Sequence, residues 1–372
     1  MPSNALDQIS IKGFRSIASL ERLDLRPINI LIGANGSGKS NFIEAFSFLR
    51  AILDGRLQDY VTAAGGAERL LHFGSKTTSA ISFHLSFSAG VNGYKLSLSP
   101  TGDDGLFPSE EIVSFWNKSK YATPLEKPLP PRQRRLEAGV SDPELTRVAE
   151  RVRDRLGSWR LYHLHDTSSS SSMRKTAKVD DNKFLRPDGS NLAAFLYFLR
   201  ERHQDSYGII QRTIQLVAPF FDDFNLNPLR LKPDDIKLEW KHKNSDLYFD
   251  ASSMSDGTLR FIALATLFLQ PERYRPTAIL VDEPELGLHP YAINMLASLI
   301  RQASAKTQVV VSTQSSLLLD YFEPEDVLVA NRDGGATQIT RLDGAQWAQW
   351  LEEYSLGQLW EKNEIGGRPA RD

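Results

Sequence analysis

Apolar residues fall along this chain in runs whose period changes several times, and each change predicts an element. Ile9 and Ile11, then Leu23 and Leu25, alternate with polar neighbours, and so do Ile81, Phe83, Leu85 and Phe87 followed by Tyr94, Leu96 and Leu98. Alternation is the spacing of half-buried strands, and the second set, joined by Ala89-Gly90-Val91-Asn92-Gly93, predicts an antiparallel hairpin. The run Ile28-Asn29-Ile30-Leu31-Ile32 predicts a buried strand, and from Asn41 to Leu53 the apolar positions recur at helical spacing. Helical spacing returns over 191–200, 207–217 and 259–269, while short strand signals lie at 236–240, 247–249, 278–281 and 309–311. No internal repeat and no heptad array is present, so coiled-coil arms are not expected.

Two stretches interrupt this pattern. From Lys118 to Arg135 the chain turns to Pro, Lys and Arg, with Lys118, Lys120, Lys127, Arg132, Arg134 and Arg135 as its cations, and Asp142-Pro143 then opens a charged helix expected to run to about Leu156. Five serines, Ser168 to Ser172, lie in the nearly apolar-free segment 166–178 and predict a mobile loop. Near the C-terminus Trp347, Trp350, Leu351 and Tyr354 recur at helical spacing, and this stripe is expected to pack on the chain's own core.

The turns carry the chemistry. Gly33-Ala34-Asn35-Gly36-Ser37-Gly38-Lys39-Ser40 lies between the 28–32 strand and the helix from Asn41, the strand, loop and helix order of a nucleotide-binding P-loop. Glycines there let successive N–H groups converge on a polyphosphate at a helix N-terminus, where the helix dipole concentrates positive charge. Asn35, Gly36, Ser37, Gly38 and Asn41 become candidate nucleotide contacts, Lys39 reaches the outer phosphates, and Ser40 is a candidate Mg²⁺ ligand. Far downstream the apolar run 278–281 ends in Asp282-Glu283-Pro284, which puts two carboxylates at a strand's C-terminal edge, where α/β nucleotide sites form. As a Walker B pair, Asp282 completes the Mg²⁺ shell through water and Glu283 accepts the proton of the attacking water. The alternative, that the pair caps the next helix, is decided against by the P-loop in the same chain, whereas Ser255-Asp256-Gly257-Thr258, ahead of Leu259, reads alone as a helix N-cap. His163 and His165 in Tyr162-His163-Leu164-His165-Asp166 would share one face of a strand and could ligate a metal, or be hydrogen-bonded strand histidines.

Composition narrows the class. The 372 residues are 41% hydrophobic and 10% aromatic, enough for a large globular core, and carry a formal charge of -2, so a nucleic acid could be met only by a local patch. There is no cysteine, which excludes disulfides and thiolate metal sites. The longest uncharged apolar stretch, 261–269, is too short to cross a bilayer, and the first residues lack a signal-peptide pattern; no membrane association and a cytoplasmic location are expected.

Taken together and in order, the P-loop, the turn at Ser255, the Asp282-Glu283 pair, Glu285-Leu286-Gly287-Leu288-His289-Pro290 as a D-loop and Val309 to Ser315 as a last core strand with its switch residue resemble the motifs of ABC-type ATPases. With Phe14-Arg15-Ser16 and Asp188-Gly189-Ser190-Asn191-Leu192, the resemblance sharpens to the RecF/SMC-like branch, particularly its standalone bacterial predicted ATPases with an OLD/RecF-like head, and covers nearly the whole chain. It implies an α/β P-loop NTPase of ABC-ATPase head type, a single domain of two lobes. Residues 1–117 and 276–335 would form the nucleotide-binding lobe, 118–180 a basic arm and serine-rich insertion, 181–275 a helical signature lobe, and 336–372 a C-terminal amphipathic helix region.

The resemblance further implies ATP as substrate with Mg²⁺, Arg15 as an additional nucleotide contact, Glu283 and Gln314 as catalytic residues, and a head-to-tail homodimer. In that dimer Ser255, Asp256 and Gly257 contact the γ-phosphate held by the opposite subunit. Ser-Asp-Gly-Thr stands where Ser-Gly-Gly-Gln is common, and Gln314 where a histidine is usual; a neutral amide can hydrogen-bond the γ-phosphate but brings no positive charge to it. Gln58 and His72 are candidates for the Q-loop position. The implied role is hydrolysis that gates a nucleic-acid transaction in phage defence or DNA repair, with segment 118–135 touching the nucleic acid and a separately encoded nuclease or effector as partner. The alternatives are a nucleotide-sensing scaffold with little hydrolysis and an ABC transporter subunit; more than half the chain separates Ser40 from Ser255, which argues against transport.

Overall fold

The computed structural model describes residues 5–130, 137–142 and 146–367. They form two compact units, one made of the chain up to Trp159 and from Glu323 onward, the other of Arg160–Phe322.

The first unit holds strands β1 (Leu6–Phe14), β2 (Ile17–Asp24), β3 (Ile28–Ile32), β4 (Ile81–Phe87), β5 (Asn92–Pro100), β6 (Leu106–Phe115) and β7 (Leu125–Pro128). All but β3 make one antiparallel sheet in the order β2-β1-β4-β5-β6-β7. The predicted hairpin is β4 and β5, with Leu85 opposite Tyr94, and its alternating apolar residues are all buried. Helix α1 (Lys39–Leu53) buries Phe42, Ile43, Phe46, Phe48, Leu49 and Ile52. Phe48 stacks on Phe14 of β1 at 5.5 Å and meets Phe83 of β4 at 6.0 Å, so the helix that follows the P-loop is fixed by its apolar face to the antiparallel sheet. Strand β3 is buried along its whole length and pairs in parallel with Val327–Asp333, Leu31 opposite Leu328; that strand turns back as an antiparallel hairpin with Ala336–Arg341. A continuous apolar run is what a strand covered on both faces requires.

In the second unit, β8 (Ala278–Asp282) and β9 (Gln308–Ser312) pair in parallel with Leu280 opposite Val310. Helix α2 (Asp256–Leu269) is buried at every position from Leu259 to Leu269, and helix α3 (Pro290–Ser304) buries one face, including Ile293, Leu296 and Ile300. A separate antiparallel sheet joins Phe221–Asn225, Glu239–His242 and Tyr248–Asp250. In this grouping β8, β9 and α3 fall in the same unit as α2, and α3 packs on both α2 and β9.

The serine-rich stretch is anchored at one end: Ser168 to Ser170 are exposed, but Ser171 and Met173 are buried, and the Ser171 hydroxyl donates to Asp166 O at 2.6 Å. The charged helix runs over Arg147–Gly157, with 143–145 outside the described residues. The basic segment contains β7, whose backbone pairs with β6; Arg132, Arg134 and Arg135 fall outside the described residues. Trp347, Trp350 and Leu351 of the C-terminal stripe lie on α4 (Gly344–Leu351), which buries none of its residues, with Tyr354 past its end, and Trp350 is 46% exposed. The core beside it is filled instead by Leu342, Leu356 and Leu359, which the helical pattern did not single out.

Candidate nucleotide-binding site

Strand β3 delivers the chain to the P-loop and α1 carries it away. Gly38, immediately before α1, has φ 100°, and no side chain caps the helix or places an acid in its first turn, so the N-terminus presents its dipole uncompensated. Only glycine fits there, since a Cβ on Gly38 would lie 1.9 Å from Thr337 Oγ1 of the C-terminal hairpin. That hairpin grips the loop: the Thr337 hydroxyl donates to Ser37 O at 2.9 Å and the Arg332 guanidinium to Gly36 O at 3.1 Å.

Lys39 is buried, and its ammonium donates to Gly33 O at 2.6 Å and Ala34 O at 3.1 Å. A buried cation demands oxygen partners, and the loop's own carbonyls hold it at the helix start. Ser37 is also buried and its hydroxyl has no hydrogen-bond partner, whereas Asn35, Gly36 and Ser40 are exposed. A Cβ on Gly36 would meet nothing within 4 Å, so the cradle is open at that point. An orphaned buried hydroxyl, a buried ammonium and an uncapped helix start fit an anionic polyphosphate. Asn41 Nδ2 donates to Ser16 Oγ at 2.6 Å, and the Arg15 guanidinium pairs with Glu44 of α1. Gln58 donates to Leu106 O at 2.7 Å and His72 Nδ1 lies 2.7 Å from Arg15 O.

The second unit assembles the other motifs. Strand β8 is buried up to Val281, and Asp282, half-buried at its edge, stands opposite Ser312. Glu283 takes φ 39°, its N–H donates to Ser312 O at 2.7 Å, and its carboxylate accepts from the Gln314 side-chain amide. Both predicted catalytic side chains are thus together, at a left-handed backbone position of the kind that concentrates at functional sites. Glu285, whose role sequence reasoning missed, is buried; it accepts from Thr313 Oγ1 at 2.5 Å and Gln314 N at 3.4 Å, and burial raises its pKa. The signal was present as the third acid of Asp282-Glu283-Pro284-Glu285.

Ser255 caps α2, accepting from Thr258 N at 3.2 Å, and both Ser255 and Asp256 are exposed. Gly257 packs so closely on the D-loop that a Cβ would sit 2.2 Å from Gly287 O. Arg174, from the end of the serine-rich stretch, donates to Ala251 O, to Met254 O at 3.1 Å and to Asp256 at 2.8 Å, which fixes the turn before α2. Buried Arg260 of α2 donates to Leu164 O at 3.0 Å and His165 O at 2.7 Å, and burial lowers its pKa. The histidines lie past the end of their strand, which stops at Tyr162, so they do not share a strand face; His165 Nε2 comes within 3.9 Å of Asp282, and burial lowers the pKa of His163. Among the described residues no group of three or more His, Cys, Asp or Glu is placed to hold a metal. Also among them, no helix is long and apolar enough to cross a membrane.

Among solved structures the chain is similar to an SMC head bound to the C-winged helix domain of ScpA, at 15% identity and TM-score 0.60 over 92% of this chain and 99% of that one. SMC heads derived from Pyrococcus furiosus (15% identity, TM-score 0.55, 94% and 98% covered) and Pyrococcus yayanosii (12%, 0.51, 94% and 99%) have the same fold. The fold is therefore the α/β P-loop fold of the SMC-type heads, as the motif order led one to expect. More particularly, the chain belongs to the family described as "AAA domain, putative AbiEii toxin, Type IV TA system", whose model matches residues 28–320. No curated protein matches it.

Proposed function

We propose that this protein binds ATP with Mg²⁺ at the Gly33–Ser40 loop and hydrolyses it in a head-to-tail homodimer, and that hydrolysis gates a nucleic-acid transaction, in phage defence or DNA repair, through a separately encoded effector. The observation that carries the reading is the uncapped start of α1 with buried Lys39 beside it, which suits an anion and little else. In this reading the Asn35–Asn41 loop cradles the phosphates, with Arg15 as an additional contact. Ser40 and Asp282 are the residues that would hold Mg²⁺, which would neutralise phosphate charge. Glu283 takes the proton of the attacking water and Gln314 keeps that carboxylate aimed. Ser255, Asp256 and Gly257 serve the nucleotide of the opposite subunit, and the exposure of Ser255 and Asp256 at the start of α2 supports that assignment.

A partner protein is consistent with the SMC heads recorded with ScpA domains, and Lys118, Lys120 and Lys127 of the basic segment are the described cations offered to nucleic acid. The cytoplasm is the proposed location. A nucleotide-sensing scaffold remains the second reading, favoured by the neutral Gln314. Steady-state phosphate release by the purified protein, with and without DNA, separates them: turnover stimulated by DNA is expected, and ATP binding with no turnover under either condition would select the scaffold.

A further inference from the structure

Past α4 the chain makes one more helix and then doubles back onto the P-loop. Helix α5 (Leu356–Glu361) starts at a capping box between Ser355 and Gln358 and buries Leu356 and Leu359. Asn363, in the left-handed region at φ 65°, turns the chain out of the helix: Asn363 N donates to Trp360 O at 2.9 Å and Glu364 N to Leu359 O at 3.0 Å. Ile365 is then buried, and Gly366 and Gly367 come against the Val327–Asp333 strand, the one that pairs with β3. The Gly367 N–H donates to Asn331 Oδ1 of that strand at 2.7 Å. A Cβ on Gly367 would lie 3.2 Å from Gly33 Cα, 3.1 Å from Trp360 Nε1 and 3.4 Å from Val329, and its φ of 84° would strain any side chain there. Gly33 is crowded by its own surroundings too, since a Cβ on it would lie 2.5 Å from Ala330 O and 2.6 Å from Ser37 Oγ. The first residue of the P-loop is therefore packed against both the strand and the returning C-terminal segment.

Gly33 is also the residue whose carbonyl accepts from Lys39 at 2.6 Å, a shorter bond than the 3.1 Å one to Ala34 O. We propose that Ile365–Gly367 is a positioning element of the nucleotide site: by bracing Gly33 it keeps that carbonyl on Lys39 and the ammonium desolvated at the start of α1. A Gly33 free to shift would lengthen the bond and let water reach Lys39, and a rehydrated cation pulls less strongly on phosphate. The inference rests on the P-loop reading, and the experiment keeps the two apart. Calorimetric titration with Mg-ATP, with a thermal melt beside it, is run on the full chain as wild type, Asn331→Ala and Gly367→Val, and each of the two variants is repeated in a Lys39→Ala background. Asn331→Ala removes the acceptor that ties Gly367 down, and Gly367→Val pushes the segment off Gly33. Each should lose about tenfold in ATP affinity, the size of one weakened hydrogen bond to a charged group. Neither should lose more in the Lys39→Ala background, where no ammonium is left to position; a merely structural effect would lower affinity equally in both. Should Gly367→Val fail to melt cooperatively, Asn331→Ala decides. Unchanged ATP affinity in Asn331→Ala, or the same loss with and without Lys39, would overturn the brace while leaving the P-loop in place. If Lys39→Ala itself costs no affinity, the P-loop reading falls and the brace with it.

Discussion

Lys39→Ala is expected to lose about a hundredfold in ATP affinity, about 2.8 kcal/mol, while the fold survives. The ammonium is the only side-chain cation in the Gly33–Ser40 loop, and it is already desolvated, held by the carbonyls of Gly33 and Ala34. A cation whose water has been removed in advance attracts phosphate more strongly than one that must first shed it. Removing it leaves those two carbonyls short of a charged donor, a cost of about 1–3 kcal/mol that a body with this much buried apolar surface can carry. Calorimetric ATP titration beside a thermal melt checks both halves: unchanged affinity would remove the phosphate-site assignment, and a collapsed melt would show Lys39 to be structural.

Glu283→Gln should separate binding from chemistry. The variant keeps the shape and the hydrogen bonding of the side chain that meets Gln314, but a neutral amide cannot accept the water's proton. Loss of a general base costs typically 10²- to 10⁴-fold, so turnover should fall by about that much with ATP still bound. The ATP-closed dimer then accumulates, and light scattering after ATP addition should report a doubled mass. A variant that hydrolyses at the parental rate would move the base elsewhere, and one that stays monomeric when saturated with ATP would count against the sandwich.

What the sequence disclosed follows from range. The P-loop, the β4–β5 hairpin and the buried run of β3 were legible because each is set by neighbours in sequence: glycine permissiveness, two-residue alternation, an unbroken apolar stretch. The N-cap at Ser255 was legible for the same reason. What was not legible depends on distant pairs. Nothing local told that Thr337 would demand a glycine at Gly38, that Gly287 would demand one at Gly257, or that Arg174, just after the serine run, would anchor the turn before α2. The stripe on α4 failed differently, since helical spacing of aromatics identifies an apolar face and not what covers it. The return of Gly367 to Gly33 carries no periodic signal at all; it exists only in three dimensions.

The central claim is that the active site is shared between two subunits, and complementation tests it most directly. Ser255→Arg puts bulk at an exposed helix start and removes a cap worth about 1 kcal/mol, so the subunit should still bind ATP but fail to close on its neighbour. Lys39→Ala has the opposite defect, an intact signature and an impaired phosphate site. In a mixed dimer one site combines both defects and the other two intact halves. Each variant alone should be inactive, and steady-state ATPase activity should reappear on mixing, greatest near equal proportions. Parental activity of Ser255→Arg by itself would contradict the account, because Ser255 would then be a helix cap and nothing more.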